Sequence, residues 1–352
     1  MIGGFRTGLE KNGHECIAFC EIDKYARQSY KAIYDTEGEE EWHDITQVSN
    51  EEFRAFRGRA DIITGGFPCQ AFSIAGNRRG FEDTRGTLFF EIARAIKEIQ
   101  PSYALLENVK GLFSHDKGRT FGTIIQALDE LGYVVEWGLF NSKFWGVPQN
   151  RERVFILVTR KDVFKGSKLF DLLKQQTEVN TRLVDVLEDE VDEKFYLSEE
   201  KTSKLILNTM QDGDVQPKVA VLGNTSNTGH RSHDIHDIEG ISPTIAARDY
   251  KGAKQIAYLY DVGDIYTNDS KEFNRGPLKG LSRTLKANNH DAGVTDGLRI
   301  RKLTPLECWR LQGFTDDQFY KAKNAGVSNS QLYKQVGNSV TVNVIDAIAK
   351  LF

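Results

Sequence analysis

The stretch DIITGGFPCQAFSIAG, residues 61–76, ends an apolar run at Gly65 and Gly66 and turns at Pro68. Proline restricts the residue before it to an extended conformation, so the chain leaves a predicted strand here. Cys69 follows directly. Because open α/β sheets place their ligand crevice beyond the carboxyl ends of the strands, we expect Cys69 to lie at such a crevice.

The chain has four cysteines, and they are scattered. No CxxC pair or Cys/His cluster is present, so neither a zinc site nor a disulfide framework is indicated. A lone cysteine is often a small buried hydrophobic residue, and position alone favours that interpretation for Cys69. Its Gly-Gly and Pro-Cys-Gln neighbours pack poorly but suit an exposed turn, which favours a nucleophile.

Short β-rich runs alternate with helical patterns over residues 1–160, which indicates an α/β sheet with crossover helices. Apolar residues at helical spacing predict helices over 88–99, 121–131 and 340–351. The predicted strands are 16–20, 61–64, 103–106, 134–139 and 154–158.

Residues 161–298 have a different composition, rich in Gly, Asn, Thr, Ser and His. Such composition builds short strands and polar loops rather than a doubly wound sheet. We therefore predict a first domain over 1–160, a smaller second domain over 161–298, and a return to the first domain over 299–352.

The bulk numbers describe a globular chain. Of 352 residues, 39% are hydrophobic and 27% charged, and no apolar run is long enough for a membrane span. A cytoplasmic protein without a membrane partner is expected. The net charge of −4 argues against bulk electrostatic binding of nucleic acid but leaves room for a local basic cleft.

With these residues in view, the sequence resembles the cytosine-5 DNA methyltransferases. GGFPCQAFS, residues 65–73, resembles the family's nucleophile motif, with Cys69 as the nucleophile. Other family blocks recur in order along the chain. These are IGGFRTGLEKNGHECIAFCEIDKYA from Ile2, Glu107-Asn108-Val109, QNRERVFIL from Gln149, RKLTPLECWRLQGF from Arg301, and YKQVGNSV from Tyr333.

The resemblance implies a Rossmann-like S-adenosylmethionine-dependent methyltransferase sheet with a target-recognition domain, and it implies the chemistry. Cys69 would add to carbon 6 of cytosine, and Glu107, its pKa raised by burial, would act at ring nitrogen 3. Arg153 would hold the base carbonyl, with Arg151 in a supporting catalytic role. Without the resemblance, a surface salt bridge to Glu152 or Asp162 would be the favoured interpretation of both arginines.

S-adenosylmethionine is the implied cofactor. Gly3 and Gly4 would let the backbone approach it closely, Glu21 would bind the ribose hydroxyls, and Ile22 would pack on adenine. The remaining implied pocket residues are Phe5, Asp44 (at the adenine amino group), Ile45, Pro68, Leu88, Asn338 and Val340.

Double-stranded DNA is the implied partner, with the target base flipped out of the helix. The Gly-punctuated stretch over 73–87 suits a mobile loop that closes over DNA, although a solvated surface loop is the alternative. We also expect a monomer without a metal, and a cognate restriction endonuclease is a candidate partner. The implied DNA contacts are Gln70, Ser73, Arg78, Arg79, Arg248, Lys251, Arg283 and Asn288.

The start of the chain departs from the family pattern. The family's cofactor loop follows a strand and a Phe-x-Gly sequence, whereas this sequence opens at Met1-Ile2-Gly3-Gly4. We expect a truncated or mis-started sequence of an enzyme. Without a central strand, the edges of its neighbours would be unpaired, which would weaken the fold and cofactor binding.

Three other functions are weighed against this one. An RNA-modifying relative is disfavoured by the long insert, and a non-catalytic DNA-binding derivative by the presence of Cys69, Glu107 and Arg153. A nucleotide-binding oxidoreductase would need GxGxxG after a strand, and the sequence has none there.

Overall fold

A computed structural model describes residues 2–68, 88–198, 206–207, 218–226, 230–259 and 298–352. None of the helices in these ranges is long and apolar enough to cross a membrane. Several predicted site residues lie outside the described residues, and these are Cys69, Gln70, Ser73, Arg78, Arg79, Arg283 and Asn288.

All five predicted strands of the first part are present, and four of them extend beyond their predicted bounds. Two further strands were not predicted. The sequence of β2, Glu-Glu-Trp, has no apolar alternation, and the two-residue β6 pairs, among the described residues, only with a strand of the insert. The strands are β1 (Ala18–Cys20), β2 (Glu40–Trp42), β3 (Ile62–Gly66), β4 (Tyr103–Val109), β5 (Tyr133–Asn141), β6 (Gln149–Asn150) and β7 (Glu152–Arg160).

These strands form two separate sheets and one short pair with the insert. β1 and β2 pair in parallel, and the larger sheet has the order β3-β4-β7-β5. β3 and β4 are parallel, whereas β7 runs antiparallel to both of its neighbours. Within the described residues, β1 pairs with β2 alone and β3 with β4 alone, so each has one unpaired edge.

Helices cover both faces of the larger sheet. The helices are α1 (Gly4–Glu10), α2 (Lys24–Ile33), α3 (Asn50–Arg54), α4 (Leu88–Ile99), α5 (Arg119–Glu130), α6 (Leu169–Leu173), α7 (Pro305–Arg310), α8 (Asp316–Asn324), α9 (Asn329–Gly337) and α10 (Val342–Ala349). Alternate residues of β4 point to opposite faces, so Leu106 packs under α4 and α5 while Leu105 packs under α1 and α10. Burial on both faces explains why the central strands are apolar throughout.

The insert forms a second sheet of five short strands, in the order β13-β12-β10-β9-β8. Its last strand runs to Lys302, past the predicted end of the second domain. A sixth strand of the insert, β11, pairs instead with β6 of the first part. These strands are β8 (Ile206–Leu207), β9 (Val221–Asn224), β10 (Asp234–His236), β11 (Ser242–Pro243), β12 (Gln255–Leu259) and β13 (Leu298–Lys302).

The return segment opens with a capped helix. Thr304 caps α7, Pro305 occupies its first turn, and Glu307 completes the capping box. The same Glu307 carboxylate forms a fully buried salt bridge of 2.6 Å with Arg301 at the end of β13. One acidic side chain therefore joins the second sheet to the returning helices.

Candidate active site

The carboxyl ends of β3 and β4 lie side by side. Gly66, the last residue of β3, is paired with Glu107 of β4. Buried Asn108 donates a hydrogen bond of 2.8 Å from its side-chain amide to the carbonyl of Phe67. The chain is thus fixed two residues before Cys69, which itself lies outside the described residues.

Glu107 and Arg153 form the charged centre of this edge. The Nε atom of Arg153 lies 2.9 Å from the Glu107 carboxylate, and both side chains are more than four-fifths buried. Burial raises the pKa of Glu107 although the charges of Arg153 and Arg151 lower it. This direction agrees with the one predicted from the apolar strand, and it favours a carboxyl group that can hold a proton.

Arg151 is buried and makes no surface salt bridge. Its guanidinium donates to the carbonyl oxygens of Ile245, Gly337 and Ser339, at 2.8, 3.2 and 2.6 Å. Burial lowers the pKa of Arg151 to about 9. The alternative of a surface pair with acidic neighbours is wrong, because Glu152 pairs with Lys110 and Asp162 pairs with Arg160.

The glycines at the start of the chain are closely packed. Gly3 has a φ of 84°, which favours glycine, and a side chain there would clash with Tyr34. A Cβ atom on Gly4 would lie 2.8 Å from Ser339 Oγ and from a Val340 methyl group. Gly4 and Val340 are therefore brought together, as predicted. Phe5, in contrast, packs into the core beneath them.

The other predicted pocket residues sit at strand ends and helix starts. The Glu21 carboxylate, just past β1, accepts a hydrogen bond from the Asp23 amide, and next to it the Ile22 side chain is 71% exposed. Asp44 follows β2 and caps a short turn. Ile45, partly buried, packs on the core instead. The side chains of Pro68, Leu88 and Asn338 are exposed, as is that of Ile22.

Two predicted DNA contacts lie on the same short turn of the insert. Arg248 and Lys251 are exposed on the 3₁₀ turn Ala247–Lys251, and the buried carboxylate of Asp249 accepts a hydrogen bond from the amide of Ala246, the residue before the turn. Tyr250 is 45% exposed between them, with the Lys251 ammonium 5.7 Å from its ring. The turn presents two cations and an aromatic ring to solvent.

Comparison with known proteins identifies the family. The sequence profile of the C-5 cytosine-specific DNA methylases matches residues 1–352. The chain belongs to this family. The predicted resemblance is therefore confirmed, and members of the family are DNA (cytosine-5-)-methyltransferases, so the chain is an enzyme of that class.

Relatives within the family come from phages and bacteria. The orphan methyltransferase M.SPRI of Bacillus phage SPR is 37% identical, over 99% of this chain and 94% of the relative. The type II methyltransferase M1.ScrFI of Lactococcus lactis subsp. cremoris is also 37% identical, over 99% of this chain and 75% of the relative.

Solved structures share the methylase fold. The Dnmt2 methyltransferase of S. pombe superposes with a TM-score of 0.67 at 21% identity, over 99% of this chain and 95% of that one. The methyltransferase EhMeth of Entamoeba histolytica superposes with a TM-score of 0.60 at 16% identity, covering 99% and 93%. The predicted α/β methyltransferase fold is thereby confirmed.

Two residues near the predicted site residues were not singled out by the sequence. Asn108 was quoted within a motif but given no role, and its bond to Phe67 depends on the pairing of β3 with β4. Tyr250 lies between the predicted DNA contacts Arg248 and Lys251. Nothing in the sequence indicated that its ring would be exposed. A signal for Asn108 was present, since a polar residue that interrupts an apolar strand end needs a partner.

Proposed function

We propose that this chain transfers a methyl group from S-adenosylmethionine to carbon 5 of a flipped-out cytosine in DNA, through a covalent adduct with Cys69. The observation that carries the proposal is the buried Glu107–Arg153 pair, beside the strand end that leads to Cys69. An acid that holds a proton, next to a fixed cation, is what addition to the cytosine ring requires.

Carbon 5 of cytosine is a weak nucleophile, so the ring must first be activated. The Cys69 thiolate adds to carbon 6, an S–C bond forms, and ring electrons move to nitrogen 3. Glu107 supplies a proton at nitrogen 3, which leaves an enamine with a nucleophilic carbon 5. After methyl transfer, a base such as water would take the carbon-5 proton, the C5–C6 double bond would re-form as the S–C bond breaks and releases the thiolate, and the nitrogen-3 proton would return to Glu107.

Arg153 and Arg151 would support this chemistry in two different ways. Arg153 is held by Glu107 and would donate to the carbonyl oxygen of the base. Arg151 is turned away into a buried junction, so its contribution to the reaction would come through the backbone that it holds.

The residues around Gly4 fit S-adenosylmethionine, which when bound supplies an electrophilic methyl group. Gly4 and the Ser339–Val340 backbone approach so closely that no side chain fits between them. We propose that the Glu21 carboxylate binds the ribose hydroxyls, that Ile22 covers the adenine, and that Asp44 accepts from its amino group. The pocket would be completed by Gly3, Pro68, Leu88, Asn338 and Val340, with Phe5 and Ile45 as support from below.

The proposed contacts with DNA come from the insert and from the loop after Cys69. We propose that residues 161–298 form a target-recognition domain that binds duplex DNA through Arg248 and Lys251. The loop residues Gln70, Ser73, Arg78 and Arg79, and the insert residues Arg283 and Asn288, would add further contacts. Relatives of equal identity are named orphan and type II, and a restriction endonuclease partner is part of this proposal. A monomeric state is a separate part of it.

Trapping with 5-fluorocytosine tests the proposal, because fluorine at carbon 5 cannot leave as a proton does. The chain is incubated with S-adenosylmethionine and duplex DNA in which every cytosine carries fluorine. We expect a denaturation-resistant adduct whose mass places the DNA on Cys69. Cys69→Ser should form none, whereas Cys20→Ser, which removes an exposed thiol on β1, should form as much as the parent.

Two results would overturn the proposal. One is the absence of any adduct in a folded parent chain with cofactor present. The other is an adduct of equal yield in Cys69→Ser. A matched RNA carrying 5-fluorocytosine serves as the comparison substrate. Preferential trapping of this RNA would show that RNA, rather than DNA, is the substrate.

A further inference from the structure

Three parts of the chain meet around the side chain of Arg151. Its two Nη atoms donate to the carbonyl of Ile245 in the insert and to those of Gly337 and Ser339 in the return segment. The Arg151 carbonyl in turn accepts from the amide of Ser142. One fully buried guanidinium thus connects the arginine motif, the insert and the end of the chain.

The insert and the return segment are in close backbone contact at this junction. A Cβ atom on Gly337 would lie 2.3 Å from the backbone of Ala246 and of Ala247. Thr244 donates to the carbonyl of Asn150 at 2.7 Å, next to the β6–β11 pairing. A displacement of the insert backbone here must therefore move the Gly337 turn, or break the bonds of Arg151.

The two ends of the junction lead to two different surfaces. Ile245 is followed by the turn Ala247–Lys251, which carries the exposed Arg248 and Lys251. Ser339 and Val340 touch Gly4 in the glycine loop at the start of the chain. The guanidinium bonds thus join the backbone that supports the basic turn to the backbone that supports the glycine loop.

The filling of space does not by itself explain why an arginine lies here. Burying a guanidinium costs free energy, and here the bonds it makes are to carbonyl oxygens rather than to a carboxylate. Its Nε atom has no partner among the described residues. An apolar side chain would fill the space at a smaller desolvation cost. A planar fork of donors, however, fixes three carbonyls in one relative position, which an apolar side chain cannot do.

We propose that Arg151 is a positioning residue that couples DNA binding at the Ala247–Lys251 turn to cofactor binding at the Gly3–Gly4 loop. The proposal rests on the proposed function, which assigns these ligands to the two surfaces. Coupling between binding sites is reciprocal, so DNA should tighten cofactor binding by the factor by which cofactor tightens DNA binding.

Equilibrium dialysis measures the coupling directly. The probe is radiolabelled S-adenosylhomocysteine, the unreactive product, with and without saturating sheared unmethylated DNA. In the parent chain we expect DNA to tighten its binding about 10-fold, within the usual range of coupling between sites. In Arg151→Met the ratio should fall to about 1 while each ligand alone still binds. Arg151→Lys should restore part of the ratio, because an ammonium can reach some of the carbonyls.

Controls separate coupling from stability. Arg160→Met removes an exposed arginine from the far end of β7 and should leave the ratio unchanged. If Arg151→Met does not fold, Gly337→Ala tests the same junction by forcing the two backbones apart, and its ratio should also fall. A parent chain without coupling, or a folded Arg151→Met with the parent ratio, would overturn the inference. A parent chain that binds neither ligand would overturn the proposed function itself.

Discussion

Glu107 carries the sharpest pH dependence at the scale of single residues. Burial raises its pKa, so its protonated form persists to higher pH than in a free side chain. Activity that needs this proton should fall as pH rises through the raised pKa. We expect Glu107→Gln to lose about 100- to 10,000-fold in kcat and to lose this alkaline limb, as measured by methyl transfer to DNA between pH 5 and 9.

The same shift has a consequence for stability. Between the ordinary and the raised pKa the folded state binds more protons than the unfolded state, so the free energy of unfolding falls as pH rises through that window. Glu107→Gln removes this dependence, and urea unfolding at several pH values would measure it. An unchanged pH slope in the variant would contradict the assignment.

Asn108 tests how firmly the approach to Cys69 must be held. Asn108→Ala removes the bond to the Phe67 carbonyl, which costs about 1–3 kcal/mol in the free energy of unfolding and loosens the chain before the proposed nucleophile, Cys69. We expect a loss of 10-fold or more in kcat, on the order of what misplacement costs. Asn12→Ala, which removes a partly buried amide bonded to Asp346, should lose stability without that loss in kcat.

At the scale of elements, the Arg301–Glu307 pair joins β13 to α7. Both side chains are fully buried, so removal of one charge leaves the other without compensation. We expect Glu307→Gln to lower the free energy of unfolding by about 3–5 kcal/mol, measured by chemical denaturation. Lys321→Gln, which breaks an exposed pair with Asp317 on α8, should change it by less than about 1 kcal/mol.

At the scale of the whole molecule, DNA binding must work against a net charge of −4. Affinity should therefore depend on local cations such as Lys251. We expect Lys251→Ala to weaken binding to all sequences alike and to reduce the slope of log K against log salt by about 1. Fluorescence anisotropy at several salt concentrations measures both. Lys174→Ala, at the residue after α6, should leave the slope unchanged, and an equal effect there would point to bulk charge instead.

The sequence by itself determined the family and five strands of the first part, and it predicted which residue types would be catalytic. Apolar runs ended by glycine or proline mark strands whatever lies beside them, because the signal is local. Glu107 and Arg153 were both predicted as site residues, whereas their contact depends on β7 lying beside β4.

Only the tertiary structure decided what depends on distant partners. β2 is a strand because β1 lies beside it, and Asn108 has a role because β3 places the Phe67 carbonyl within its reach. Arg151 and Arg153 have the same residue type and lie two positions apart. The fold sends one to Glu107 and the other into a junction with Ile245, Gly337 and Ser339. Residues far apart in sequence supply those acceptors, so no local pattern could assign them.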